Sequence, residues 1–307
     1  MHILTDNDEF LHLGYPRQSE SKWKENYYFN FIDKAADAVG IIHFSIRRDI
    51  GRAIFNLQGR VGGERLRYSN NIAWPAIDRT AFKESVVLSD GCLTLEIVEP
   101  HKKHRVTFEN DTTKLDLNYT RRFDVYQYPD HTPSESEAKT DVNMDIEHYE
   151  QGLHLNGNIE FNGKVFELNS LAHRDHSWGY RDESGIVGWN WIAIQFESAT
   201  LNFTQTVSHK LGIMGNGFIS TIDGNKAIVK VEVNEVINDA KGEPEIAKYT
   251  ITDENGAKTD FTARRFNRVV LPMNKERTTM CFENFSEFTN ESTGEIGLGI
   301  DEHMLNV

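Results

Sequence analysis

Apolar and polar residues alternate along most of this chain, in short runs separated by Gly, Asn and Asp. "KAIVKVEVNEV", from Lys226 to Val236, puts apolar and charged residues on opposite faces of an extended segment, the pattern of a half-buried strand. "VVLSDGCLTLEIVEP", from Val86, predicts two strands joined at Asp90-Gly91. "GIIHFSIRR", "KVFELNSLAH", "WNWIAIQFE" and "ATLNFTQTV" read as further strands, rich in β-branched and aromatic residues. No segment keeps apolar residues at helical spacing for three turns. Many short strands between turn residues predict an all-β chain built as barrels or sandwiches.

The pattern also repeats. "FNFI" (Phe29 to Ile32) matches "WNWI" (Trp189 to Ile192), and "SDGCLTLEIVE" from Ser89 parallels "IDGNKAIVKVEV" from Ile222. "KHRVTFEND" from Lys103 parallels "AKYTITDENG" from Ala247, and "LNYTRRFD" from Leu117 matches "DFTARRFN" from Asp260. Four matches in the same order predict an internal duplication into two tandem β-domains. The polar, acidic stretch "YPDHTPSESEAKTD" (Tyr128 to Asp141) suggests the boundary. This predicts a first domain over 1–130, an acidic linker over 131–145 and a second domain over 146–307.

Ionisable chemistry concentrates in "SLAHRDHSWGYRD", Ser170 to Asp182. Read as a strand ending at Gly179, it places His173, Asp175 and Ser177 on one face and Arg174, His176 and Trp178 on the other. In the next strand Trp189, Trp191 and Gln195 share a face, which fits a cavity wall with a polar handle. Asp175, His176 and Trp178 together supply an acid, a base and a cation-stabilising ring, and are the candidate catalytic set. Arg174, Arg181 and Asp182 are expected to orient the carboxylates; a salt bridge holding a turn explains them equally well. Tyr28 and Phe31 are expected to edge the cavity together with Trp189, Trp191 and Gln195. "DIEHYEQG" (Glu147, His148, Glu150) and "EIGLGIDEHM" (Asp301, Glu302, His303) read first as solvated strand ends, with closure of a barrel and an additional acid for the cavity as the softer alternative.

His173 and His176 are three apart on a strand and face opposite sides, so no metal site is expected from them. Ser177 lacks the glycine elbow of a catalytic serine. "GRVGGER" is followed by no helix, so no phosphate or dinucleotide loop and no organic cofactor are expected. The formal net charge of -14 argues against a nucleic-acid partner. Cys92 and Cys281 are isolated, which predicts neither a disulfide framework nor a zinc site. No run approaches the ~20 apolar residues of a membrane span. The start, "MHILTDNDEF", has neither a basic nor an apolar run, so no signal peptide is expected and a cytoplasmic location is. A homodimer is left open.

"HRDHSWGYRD" followed by "WNWIAIQF" resembles the signature of the two-domain lipocalin-like (calycin) superfamily of acyclic-carotenoid 1,2-hydratases and AttH-type proteins, to which some fungal pericyclases also belong. The resemblance implies two β-barrels, each with an apolar pocket, and cofactor-free addition of water across an isoprenoid double bond. Carried over, the superfamily's H-x-W pair falls on His176 and Trp178. The resulting expectation is a hydratase, dehydratase or isomerase for a small terpenoid alcohol or alkene, with Asp175 as acid. A non-catalytic carrier of apolar ligands and a pericyclase are the alternatives.

Overall fold

Alternation in sequence becomes alternation in burial. In Thr113–Arg121 every second residue (Thr113, Leu115, Leu117, Tyr119) is buried and those between are not. The computed structural model describes residues 3–12, 22–47, 51–73, 85–129, 143–182, 185–209, 212–273 and 276–306. Among these residues the structure is nearly all strand, with one 3-10 turn at Asp6–Glu9. No helix among them is long and apolar enough to cross a membrane. The chain divides into two units, Met1–Pro133 with Met144–Arg181, and Asp182–Val307 with Ser134–Asn143.

The first unit holds β1 (Trp23–Asp33), β2 (Ala38–Arg47), β3 (Arg52–Val61), β4 (Glu64–Ala73), β5 (Val86–Ser89), β6 (Leu93–Glu99), β7 (Lys103–Glu109), β8 (Thr113–Arg121), β9 (Tyr126–Gln127), β10 (Asn143–Phe161) and β11 (Lys164–Asp182). They form a curled half-barrel sheet in the order β4-β3-β2-β1-β11-β10-β8-β7-β6-β5, with β9 on β10. One face carries the apolar core, including Tyr27, Phe29 and Phe31 of β1 and Ile42, Phe44 and Ile46 of β2. Each such side chain contributes ~1.5–3 kcal/mol when fully buried. Phe31, expected at a cavity edge, is instead part of this core. Its ring occupies the place of a side chain at Gly40, where an added Cβ would lie 2.2 Å from it.

The second unit is a closed eight-stranded barrel of β12 (Ile186–Gln195), β13 (Thr200–Ser208), β14 (Gly212–Thr221), β15 (Gly224–Asn238), β16 (Pro244–Asp253), β17 (Lys258–Pro272), β18 (Thr279–Asn290) and β19 (Ile296–Asn306). Eight strands enclose a space that side chains can fill. Ile192, Ile194, Phe196, Phe203, Tyr249 and Phe261 belong to the core within it.

The tandem all-β architecture is as expected. The four sequence matches fall on β1 and β12, on the β5–β6 and β14–β15 turns, on β7 and β16, and on β8 and β17. In both units the first strand pairs antiparallel with the last, β1 with β11 and β12 with β19.

The position of the motif differs from expectation. Most of the expected linker, residues 130–142, lies outside the described residues. β10 and β11 sit between β8 and β1, so the motif strand belongs to the first unit and not to the second. A polar, acidic composition is compatible with a connection between two strands of one sheet as well as with a linker between domains, so composition alone does not mark a boundary. The β10–β11 hairpin closes through Asn162 and Gly163, both at positive φ (51° and 76°), as a tight two-residue turn requires. The motif strand also does not stop at Gly179. That glycine takes φ 133° and β11 continues to Asp182.

Candidate active site

β11 distributes its side chains as the period-two reading requires, and this separates the expected catalytic set. Tyr27 lies opposite His176 and Tyr28 opposite Asp175 in the β1–β11 ladder. Tyr27 is in the core, so His176 shares the core-side face and Asp175 the other. A direct Asp175–His176 relay is therefore ruled out by strand geometry.

On the core-side face two buried networks meet. Arg174 grips Glu9 through both terminal nitrogens, at 2.6 and 3.3 Å, and donates from Nε to Gln151 at 3.1 Å. Its guanidinium also lies 5.0 Å over the Tyr149 ring. His104 and His101 complete the shell of Glu9 at 2.9 and 2.8 Å. Burial raises the Glu9 pKa, but Arg174 and the two histidines outweigh it and hold the carboxyl well below its ordinary range. Arg174 was expected to orient the carboxylates of the motif; its hydrogen bonds go instead to Glu9 and Gln151.

His176 joins the second network. Its Nε2 faces Glu25 at 3.1 Å, its Nδ1 meets the Tyr149 hydroxyl at 2.9 Å, and its ring stacks on Tyr27 at 3.9 Å. His12 shares Glu25 at 2.8 Å and stacks on Trp178 at 3.8 Å. Burial pushes the His176 pKa down despite Glu25, while burial of Glu25 is outweighed by its two histidines, which keep it ionised. His176 and Trp178 are thus brought together, fully buried, with partners that no local spacing reveals. Glu9, His12, Glu25, His101, His104 and Tyr149 were all missed from sequence.

The opposite face is less completely paired. Glu150 accepts from His173 at 2.6 Å and lies 3.0 Å from His148 Nε2. The two histidines outweigh the burial of Glu150 and keep it charged. Asp175 Oδ2 lies 3.9 Å from His148 Nε2, and its Oδ1 is buried without a hydrogen-bond partner among the described residues. Burial, with the nearby Glu150 charge adding to it against the opposing charge of His148, pushes the Asp175 carboxyl up to about 6. A fifth of the Asp175 side chain remains accessible. Tyr128 stacks on His148 at 4.6 Å, nearly parallel, and buried Tyr28 faces Asp175 across the ladder. Arg181 donates to Ser177 at 3.2 Å. The side chain of Asp182 lies outside the described residues. "DIEHYEQG" therefore supplies neighbours of Asp175, not a solvated strand end.

In the second unit, Trp189, Trp191 and Gln195 occupy the outer wall of the barrel, because Ile192 and Ile194 take the inner one. They do not line the barrel interior. Trp189 Nε1 donates to Glu302, and Gln195 accepts from Thr200 at 2.7 Å.

Among the described residues, three groups place potential metal-ligating atoms within 4.8 Å of one another: His12, Glu25 and His176; His148, Glu150 and Asp175; and Cys281, Glu283 and Glu302. Weighing only His173 against His176 on one strand could not have found them, since each group draws on several strands. In the first group, imidazole–carboxylate hydrogen bonds already join the same atoms, and in the second His148 Nε2 lies 3.0 Å from Glu150.

A family profile described as a domain of unknown function, DUF7064, matches residues 5–307. No curated protein matches the chain by sequence. Among solved structures, an AttH-type protein from Nitrosomonas europaea superposes with a TM-score of 0.74 at 12% identity, covering 99% of this chain and 96% of that one. Kievitone hydratase from Nectria haematococca gives 0.62 at 10% identity, covering 99% and 93%. CghA, solved with Sch210972, gives 0.63 at 10% identity, covering 93% and 89%. At these identities the likeness is one of fold alone.

Proposed function

From the premise that the chain belongs to the DUF7064 family and shares its fold with a hydratase, we propose a cofactor-independent hydro-lyase or isomerase for a small isoprenoid alcohol or alkene, with Asp175 as proton donor. The observation that carries this reading is the Asp175 carboxyl itself. One oxygen is buried and unpartnered, and the group titrates at about 6. Such an acid holds a proton in an appreciable fraction of molecules near neutrality, whereas an ordinary aspartate does not.

In a dehydration, Asp175 would protonate the tertiary or allylic hydroxyl, the C–O bond would break, and water would leave. The Asp175 carboxylate would then remove a proton from the neighbouring carbon, restoring the acid and forming the alkene. Hydration is the reverse, and isomerisation omits the water. His148, 3.9 Å away, is placed to orient water or share the proton. The Tyr28 and Tyr128 rings supply the aromatic surface on this face, where a desolvated cation–π contact is worth ~2 kcal/mol. His176 and Trp178 serve as positioning residues that fix β11 from behind.

The test is incubation of purified protein, without added metal or cofactor, with linalool, geraniol, nerolidol and a short acyclic polyene, followed by gas chromatography. A new alcohol or alkene that disappears in Asp175→Asn and is lowered but not abolished in His176→Gln supports the reading. Loss in His176→Gln with activity kept in Asp175→Asn would move the reaction to the core-side face and sink it. Activity that survives both substitutions would favour a pericyclic reaction, which needs no proton donor. Ligand-induced thermal stabilisation without product would leave a carrier.

A further inference from the structure

No cysteine or histidine stands at zinc-binding spacing from Cys281 in the chain, but the second unit's sheet assembles a different ligand set around it. Cys281 and Glu283 are two apart on β18 and so share a face, and Glu302 lies opposite Glu283 in the β18–β19 ladder. Glu302 in turn pairs with Trp191, so all three residues stand on the outer wall of the barrel with Trp189 and Trp191. One ligand atom from each lies within 4.8 Å of the others, and Cys281 Sγ is 4.0 Å from Glu283 Oε1. A tetrahedral zinc ion, ~2.3 Å from sulfur and ~2.1 Å from oxygen, would set such a pair ~3.6 Å apart, so only a slight contraction is needed. Glu283 is 4% exposed, and its Oε2 has no hydrogen-bond partner among the described residues. Among those residues no lysine or arginine neutralises either carboxylate. Two buried carboxylates side by side repel each other unless a shared proton or a cation lies between them. Glu302 also accepts from Trp189 Nε1, the kind of outer bond that fixes a ligating carboxylate. An ion between these atoms needs no cavity beyond the gap they enclose, and Glu302, only partly buried, keeps one ligand within reach of solvent.

We propose that Cys281, Glu283 and Glu302 together bind one divalent cation of the zinc class. The thiolate selects a borderline ion such as Zn2+ over Mg2+ and Ca2+, which take oxygen ligands. Three protein ligands leave the fourth tetrahedral position to water. In metal-free protein a proton shared by Glu283 and Glu302 takes the place of the ion. All three ligands come from β18 and β19, so the site is separate from Asp175 and from the reaction proposed there.

Titration of the EDTA-treated full-length chain with Co2+ tests the proposal, because cobalt bound to a thiolate gives an intense near-ultraviolet charge-transfer band. The other two clusters of metal-ligating side chains contain no sulfur, so they cannot produce that band. The expected result is one Co2+ per chain, with a band that added Zn2+ abolishes and added Mg2+ leaves in place. Cys281→Ser should remove the band, Glu302→Gln should weaken Co2+ binding by about tenfold or more, and Cys92→Ser should change neither. Should Cys281→Ser not fold, Glu302→Gln carries the comparison. No band in the wild type would mean that the shared proton alone neutralises the carboxylates, and would overturn the proposal. So would a band that survives Cys281→Ser or is lost in Cys92→Ser, undiminished affinity in Glu302→Gln, or displacement of Co2+ by Mg2+. The readout is metal binding in the second unit, so it stands or falls separately from turnover at Asp175.

Discussion

Replacing Asp175 by Asn keeps the shape of the side chain and removes its titration, and the consequence can be worked out before any substrate is known. The carboxyl titrates at about 6 in the folded chain, against ~3.9 for a free aspartate. Between those values the folded protein binds more protons than the unfolded chain, so wild-type stability falls as pH rises from about 4 to 6 and then stays level. The full gap corresponds to ~3 kcal/mol. Because a fifth of the side chain is accessible, solvent relieves part of this, and ~1–3 kcal/mol is expected. Asn carries no such penalty. Stability of Asp175→Asn relative to wild type should therefore increase by that amount between pH 4 and pH 8. Urea unfolding of both proteins at a series of pH values measures it, and subtracting the curves cancels the other titrating groups. A difference that does not change across this range would mean that Asp175 titrates as an ordinary aspartate, and the case for a neutral-pH proton donor would collapse with it. Turnover should follow the protonated form, falling as pH rises through about 6.

Three further perturbations probe the surroundings. Glu9→Gln leaves the buried Arg174 guanidinium without its carboxylate and should lose ~3–5 kcal/mol in urea unfolding; a loss under ~1 kcal/mol would refute the network. Tyr149→Phe removes the hydroxyl shared by His176 Nδ1 and the Asp8 carbonyl and should lose ~1–3 kcal/mol, with an unchanged Tm as the contrary result. In Glu283, burial and then the neighbouring Glu302 push the carboxyl pKa well up, so Glu283→Gln should stabilise the metal-free protein more at pH 8 than at pH 4, and calorimetry showing the opposite slope would exclude this.

Strand chemistry was legible wherever it depended on neighbours in sequence. The alternation that puts Arg174, His176 and Trp178 opposite His173, Asp175 and Ser177 is a property of any extended chain. Partners across the sheet were not legible. Glu9 lies 165 positions before Arg174, and Glu25 lies 151 before His176, separations at which no spacing rule applies. For Trp189 and Trp191 the shared face was readable, but which face closes inward was not. That choice follows from β12 pairing with both β13 and β19 so that Ile192 and Ile194 meet the core of the barrel. The boundary was misplaced because the β10–β11 hairpin follows the acidic run, yet its partners β8 and β1 precede that run.

β11 then explains why so many ionisable residues stand together in one stretch. A reactive acid must be incompletely paired, and an incompletely paired buried group destabilises the strand that carries it. The same strand answers this from its other face, where Arg174 and His176 are held by Glu9, Glu25 and Tyr149. Such a backing fixes the position of Asp175 without touching its carboxyl. The two faces therefore differ in what a substitution should do. Loss of Glu9 or Tyr149 lowers stability and, through the displaced strand, activity as well. Asp175→Asn removes activity while raising stability above pH 6, a combination that no purely structural role for Asp175 produces.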